Sequence, residues 1–283
     1  MEWFYLSLSS LFLFSLSSIV QRKLLRNSIL NPVVFGFIFQ VLVGLFAIPM
    51  FLIYKGVISA SLIIWAYIII AGILYSVSNF LFYHAVKITE ISRISVIGSS
   101  RSLWVLIGSV FILGEKITLY NFIGIVLIVF SLALIFWNKQ EQIKINKGQK
   151  FALFATVFSG IALVIDGLIL RNFSVAFYLI ISSLFVGVGT LAIKPKSIFK
   201  IKPFIEKRVF IPLVLCSFIF ALAVFLMYSA FQIGGKMASV IPITQSSAII
   251  TIFLSALLLK ETKDLPKKII ALILCIIGIS FLK

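Results

Sequence analysis

Charge is scarce in this chain: 12% of its 283 residues are Asp, Glu, Lys or Arg, and only eight of those are acidic. Histidine occurs once and cysteine twice. These shortages exclude most catalytic chemistry. No acid pair lies within a helical turn inside an apolar run, no Gly-rich phosphate loop is present, and no residues carry metal-ligand spacing. Cys216 and Cys275 both sit in apolar runs and form neither a disulfide framework nor a metal cluster. No enzyme activity and no cofactor are therefore expected, and ATP-driven transport would need a partner chain. Long polar stretches are lacking too, so a soluble domain has no place.

Apolar residues are what the chain has in excess. They make up 62% of it, including 29 Phe, and the mean hydropathy is +1.22. That exceeds the share of a soluble domain, where about half the residues are apolar. A spanning helix needs about 20 mostly apolar residues. Ten such runs are expected, over 3–20, 32–54, 62–83, 94–113, 117–137, 151–170, 173–193, 209–233, 237–259 and 269–282. The last is short and must borrow Leu265 and Pro266, with Lys267 and Lys268 snorkelling. The runs are continuous rather than alternating, which excludes a β-barrel. The fold class expected is an all-α, multi-pass protein of the cell membrane.

The net charge of +17 brings nucleic acid to mind, but the distribution of charge decides against it. Of 25 Lys and Arg, 19 fall in the odd-numbered connections between runs, and five in the even-numbered ones or at the C-terminus. Arg101 is the remaining one, inside a run. By the positive-inside rule the odd connections are cytoplasmic and both termini lie outside. The Met1-Glu2-Trp3 start lacks a basic region, so a cleaved signal peptide is not expected. Trp3, Tyr5, Trp65, Tyr67, Tyr120 and Trp137 near run ends read as interfacial anchors.

The chain repeats itself at nearly half its length. FYHAVKI aligns with MYSAFQI at an offset of 145, pairing Tyr83 with Tyr228 and Ala85 with Ala230. FILGEKIT aligns with LLLKETKD at 146, pairing Glu115 with Glu261, and Gly124 and Ser131 meet Ala271 and Gly278 at 147. A duplicated unit of five spans, residues 1–141 and 142–283, follows. Five is odd, so the two copies cross the membrane in opposite senses, an arrangement typical of transporters with a midplane site.

Two halves, each with a Tyr-x-Ala block, a small-residue-rich fourth helix ending near Glu, and a closing helix with spaced small residues, resemble the EamA-type drug/metabolite transporter superfamily. The resemblance covers the whole chain and implies a ten-helix secondary transporter, often an exporter of amino acids, metabolites or drugs. It also implies a cytoplasmic N-terminus, contrary to the charge count. Members often carry a proline midway along the fourth helix of each half; here the second half has Pro242 and the first has Gly98 near that place.

Ionisable groups inside a span are costly, about 2.5–3.5 kcal/mol at its centre on insertion scales, so each is a functional candidate. Arg101 lies eight residues into the fourth run. Ser92, Ser95, Ser99 and Ser102 form one face of that helix, about 100° from Arg101. An arginine there could fork onto a carboxylate or phosphate, or else lock two helices by pairing a buried acid. In the second half Gln245, Ser246 and Ser247 stand at the matching place, and Ser247, Thr251 and Ser255 make a packing face. The substrate-binding set expected is Arg101, Ser99, Gln245, Ser246, Tyr83, Tyr228, Gln40 and Asn79. Asp166, four residues from its helix end, and His84 are candidates for ion coupling, Asp166 alternatively meeting water or pairing with Arg171. Glu115 and Glu261 read as markers of helix exits. The partners expected are a small-molecule substrate and the lipid bilayer, with proton coupling, exchange or facilitated diffusion all open. The function that results is secondary transport of a small polar or anionic metabolite, such as an amino acid, by alternating access. Export of hydrophobic cations, or a non-transporting structural or lipid-handling role, are the alternatives.

Overall fold

A computed structural model describes residues 2–25, 30–58, 61–88, 97–98, 100–136, 146–171, 173–251 and 265–282. The helices are α1 (Glu2–Leu25), α2 (Pro32–Tyr54), α3 (Leu62–Ile88), α4 (Arg101–Phe111), α5 (Leu119–Phe136), α6 (Lys147–Ile169), α7 (Val175–Ile193), α8 (Lys207–Gln232), α9 (Met237–Gln245) and α10 (Leu265–Phe281). Two short 3₁₀ turns, Pro195–Lys200 and Lys202–Ile205, join α7 to α8. Among the described residues there is no strand. Six helices, α1, α2, α3, α6, α7 and α8, are long and apolar enough to cross a membrane, while the other four of the expected spans hold shorter apolar helices. Capping follows the sequence: Asn31 and Pro32 open α2, and Asn146 with Gln149 forms a capping box on α6. Large apolar side chains such as Leu52, Ile53, Ile73 and Val188 stand exposed on the helices, as a lipid-facing surface requires.

Packing obeys the repeat. The most extensive contacts are α3 with α6, α1 with α8, α2 with α7, and α5 with α10. Exchanging each helix for the one five places along turns the first pair into the second and leaves the other two unchanged. Lesser pairs also come as mates, α3–α7 with α2–α8 and α4–α6 with α1–α9. Side chains keep the symmetry as well. Ser78 Oγ on α3 donates to the Ala155 carbonyl on α6 at 2.8 Å, and Ser10 Oγ on α1 donates to the Ala223 carbonyl on α8 at 2.8 Å. At an offset of 145 Ser78 matches Ala223 and Ser10 matches Ala155, so the same contact is made twice with the donor exchanged. With no hydrophobic drive between helices in lipid, such small-residue contacts and hydrogen bonds carry the association.

The fourth and ninth runs are not the continuous helices expected. Ser100 and Ser246 each form a turn, with φ/ψ of −62°/−14° and −62°/−10°. The Ser100 carbonyl accepts from Leu103 N at 3.0 Å and Trp104 N at 3.4 Å; the Ser246 carbonyl accepts from Ile249 N at 3.0 Å and Ile250 N at 3.4 Å. These positions match at an offset of 146. Each half therefore tightens its fourth helix to i→i+3 bonding at one place, a pattern that often marks a hinge. Pro242 does not account for the second case, since its missing N–H and its ring disturb the turn before it, residues 238–241, and Ser246 lies four residues beyond. The first has no proline.

Where α5 meets α10, backbone touches backbone. A Cβ on Gly124 would lie 2.7 Å from the Gly278 carbonyl oxygen, and one on Gly278 would lie 2.8 Å from that of Gly124. Replacing either glycine by leucine is expected to destabilise the protein by about 1–3 kcal/mol through overpacking, read as a lower thermal midpoint in detergent. Leucine at exposed Val126 on α5 should leave the midpoint unchanged.

Candidate functional site

Helical stripes from both halves enclose a cavity of about 360 Å³. Helix α3 presents Tyr75, Ser78, Asn79, Phe82, Tyr83 and Val86, which recur every three or four residues on one face. Helix α1 contributes Phe14, Ser18, Gln21 and Leu25; α7 contributes Leu179, Ser182, Ser183 and Val186; α8 contributes Phe220, Val224, Met227 and Tyr228. Phe39 and Gln40 of α2 and Ser159 and Leu163 of α6 complete the sides. The two tightened helices close the ring with Gly98 and Arg101 on one side and Ile241, Thr244, Gln245, Ser247, Ala248 and Thr251 on the other. The wall runs out to Leu25 and Val86, near helix ends that adjoin odd-numbered connections.

Of the residues expected to bind substrate, Arg101, Gln245, Tyr83, Tyr228, Gln40 and Asn79 share this wall. Ser246 does not: it is buried behind it, its hydroxyl donating to the Pro242 carbonyl at 2.9 Å, because the turn at that residue points it back along α9. Ser99 lies outside the described residues, as do Ser92, Ser95, Ser255, Trp137 and Glu261. Arg101 opens α4, and its Nε is buried with no hydrogen-bond partner. Among the described residues no acid pairs with it. The Asn79 Nδ2 is likewise buried and unpartnered. An unsatisfied buried donor costs about 1–3 kcal/mol, and more when charged, so both await an acceptor.

Asp166 corrects the sequence reading. Read as an ion-coupling candidate or, alternatively, as shallow enough to meet water or Arg171, it loses the alternative, because it is fully buried. Its Oδ2 accepts from the Tyr75 hydroxyl at 2.6 Å and the Tyr228 hydroxyl at 2.7 Å, and its Oδ1 accepts from Tyr178. The three phenols come from α3, α8 and α7 and seal the end of α6. Arg171 instead donates to the Leu113 carbonyl at 2.8 Å. Tyr75 and Tyr228 line the cavity, so Asp166 sits one layer behind its floor. His84 faces elsewhere: its Nδ1 bonds the Phe80 carbonyl at 2.8 Å, and its ring lies 4.2 Å from that of Phe80.

Beyond Asp166 the even-numbered connections are tied together. Glu115, read from sequence as a helix exit, accepts from Met237 N at 2.7 Å and Ala238 N at 3.1 Å, capping α9 from the other half. Lys236 Nζ donates to the Lys116 carbonyl at 2.8 Å. Gln232 bonds the Leu170 and Phe173 carbonyls at 3.1 and 2.7 Å, and Ser174 N bonds the Val57 carbonyl at 2.8 Å. The connections after α2, α4, α6 and α8 are all engaged.

Tyr75 and Tyr178 were missed in the sequence. Tyr75 is on the stripe with Asn79 and Tyr83, one and two turns away, a signal that periodicity offered. Tyr178 carried none, being an aromatic near a helix start like several others. Converting Tyr178 to Phe removes one donor from a buried carboxylate and is expected to lower stability by about 1.5–3 kcal/mol. Asp166→Ala, which orphans three hydroxyls, should lower it further than Asp166→Asn; thermal unfolding in detergent orders the three.

No curated protein matches the chain. Among 27 matching chains of solved structures, one crystal structure, described only as that of a protein, superposes with a TM-score of 0.75 at 12% identity. The match covers 99% of this chain and 97% of that one, and at such identity it shows the fold alone. The EamA-like transporter family model matches twice, over residues 1–137 and 146–283. Those two matches take in both halves of the symmetric packing and nearly every residue, and the chain belongs to the EamA-like transporter family.

Proposed function

We propose that this protein is a secondary transporter of the cell membrane, built as two inverted five-span repeats, that moves a small polar or anionic metabolite by alternating access. The observation that carries this reading is Arg101, on the wall of a cavity between the halves, its Nε buried without a partner and no acid pairing with it among the described residues. A structural arginine would be expected to hold an acid, and a hydrophobic-cation exporter would be expected to put Asp166 on the wall and Arg101 off it. The arrangement is the reverse in both respects.

The cavity wall reaches the odd-numbered face, and hydrogen bonds tie the even-numbered face. The state described is thus closed on the even side. Transport needs the even-side ties to part while α4 and α9 pivot at Ser100 and Ser246. Glu115 spans the two halves with two bonds to the start of α9, beside the ties of Arg171 to Leu113, Ser174 to Val57 and Lys236 to Lys116. Asp166 is the candidate coupling group, connected to the cavity by the Tyr75 and Tyr228 hydroxyls. Export or exchange is the direction the family favours.

Accessibility of the cavity floor tests this. Cys216 and Cys275 are both buried, so a cysteine replacing Met227 reports on its own. A membrane-impermeant maleimide is expected to label Met227→Cys mainly from the odd face. Adding Glu115→Ala removes a helix cap of about 1 kcal/mol and should raise labelling from the even face roughly fivefold. Labelling from one face only, unchanged by Glu115→Ala, would contradict alternating access.

A further inference from the structure

The chemistry of the wall narrows the substrate further, an inference that rests on the transport reading of the same cavity. Although the wall looks rich in hydroxyls, most are already engaged. Ser78 donates to Ala155, Ser159 to Thr156, Ser182 to Leu179 and Thr244 to Ile241, each to a backbone carbonyl. Those hydroxyls have used their donors and keep only lone pairs, whereas the buried lining atoms without a partner are both donors, the Arg101 Nε and the Asn79 Nδ2. The Gln40 and Gln245 amides flank them on the wall.

Charge on the wall is of one sign and one unit. Arg101 is the single charged residue among the described residues that line the cavity. An ammonium group would meet the like charge of Arg101, and the one carboxylate buried nearby is spent. Both oxygens of Asp166 are occupied by tyrosine hydroxyls, and Tyr75 and Tyr228 stand between it and the cavity. A dianion would need a second cation, which the described wall lacks. The remaining surface is apolar and aromatic, with Phe14, Phe39, Phe82 and Phe220 around it.

We infer that the cavity takes a small organic monoanion, a carboxylate or sulfonate on an apolar or aromatic body, with no balancing ammonium group. The anionic head would fork onto Arg101 and accept from Asn79, and the body would lie against the phenylalanines. Its volume is within the 300–1,000 Å³ typical of small-ligand sites, roughly at the lower end.

A series that holds the body fixed and changes only the charge tests this. Binding of tritiated 3-phenylpropionate to the purified full-length protein would be measured, with 2-phenylethanesulfonate, phenylalanine and phenethylamine as competitors. The sulfonate is expected to compete within a few-fold of the carboxylate, phenylalanine at least about tenfold more weakly, and phenethylamine not at all. Arg101→Gln should weaken binding about 10- to 100-fold, the loss of one charge-assisted contact, with Arg101→Lys recovering part of it. A variant that elutes as the native protein in size exclusion and still binds unchanged would overturn the inference. Equal competition by phenylalanine would overturn it while leaving a polar-metabolite transporter standing. Binding of phenethylamine alone, with normal face-to-face accessibility of Met227→Cys, would overturn the anion class but not alternating access.

Discussion

An ionisable group taken into hydrocarbon must be compensated, and this protein does so in two different ways. Asp166 is met by three phenolic hydroxyls from three helices, which satisfy both carboxylate oxygens and bind α6 to α3, α7 and α8. Arg101 is left with a buried nitrogen unmet, facing a cavity. The first arrangement makes a floor, and the second is the proposed receptor. The shape of the rest follows: the stripes of α1, α3, α7 and α8 surround the receptor, and the ties of the even-numbered connections back the floor.

Duplication explains how a chain with so few polar residues builds such a site. Exchange of the two halves preserves the helix contacts, the Ser–Ala hydrogen bonds and the turns at Ser100 and Ser246. Function enters where the symmetry fails. Arg101 is matched in the other half by the neutral Gln245 and Ser247, and Asn79 aligns with Val224, so the one charge of the described wall lies on the first half alone. An asymmetric ligand with a head and a body suits that difference better than a symmetric one.

Much of this was legible in residues. Apolar runs and the offset of 145 to 147 residues between the Tyr-x-Ala and Glu blocks led to the helical fold, the repeat and the family, and the scarcity of charge singled out Arg101 and Asp166. What periodicity could not supply was depth. Asp166 lies near a helix end in sequence, yet neighbouring helices extend past that end and bury it. The turn at Ser100 left no local mark, since serine tolerates a helix. Glu115 was visible as the end of a helix, but its cap on α9 joins residues more than 120 apart, which only the packed halves bring together.

The most direct test of Arg101 as the anion receptor is thermal stability of the detergent-purified protein and its Arg101→Ala variant across amino acids, organic acids, phosphorylated sugars and lipophilic cations. A ligand at 100 times its Kd stabilises a folded state by about 2.7 kcal/mol, a readily measured shift. The expected result is stabilisation by an anionic or zwitterionic compound that disappears in the variant. Stabilisation by cations alone, equal in both proteins, would contradict it and return Arg101 to a structural role.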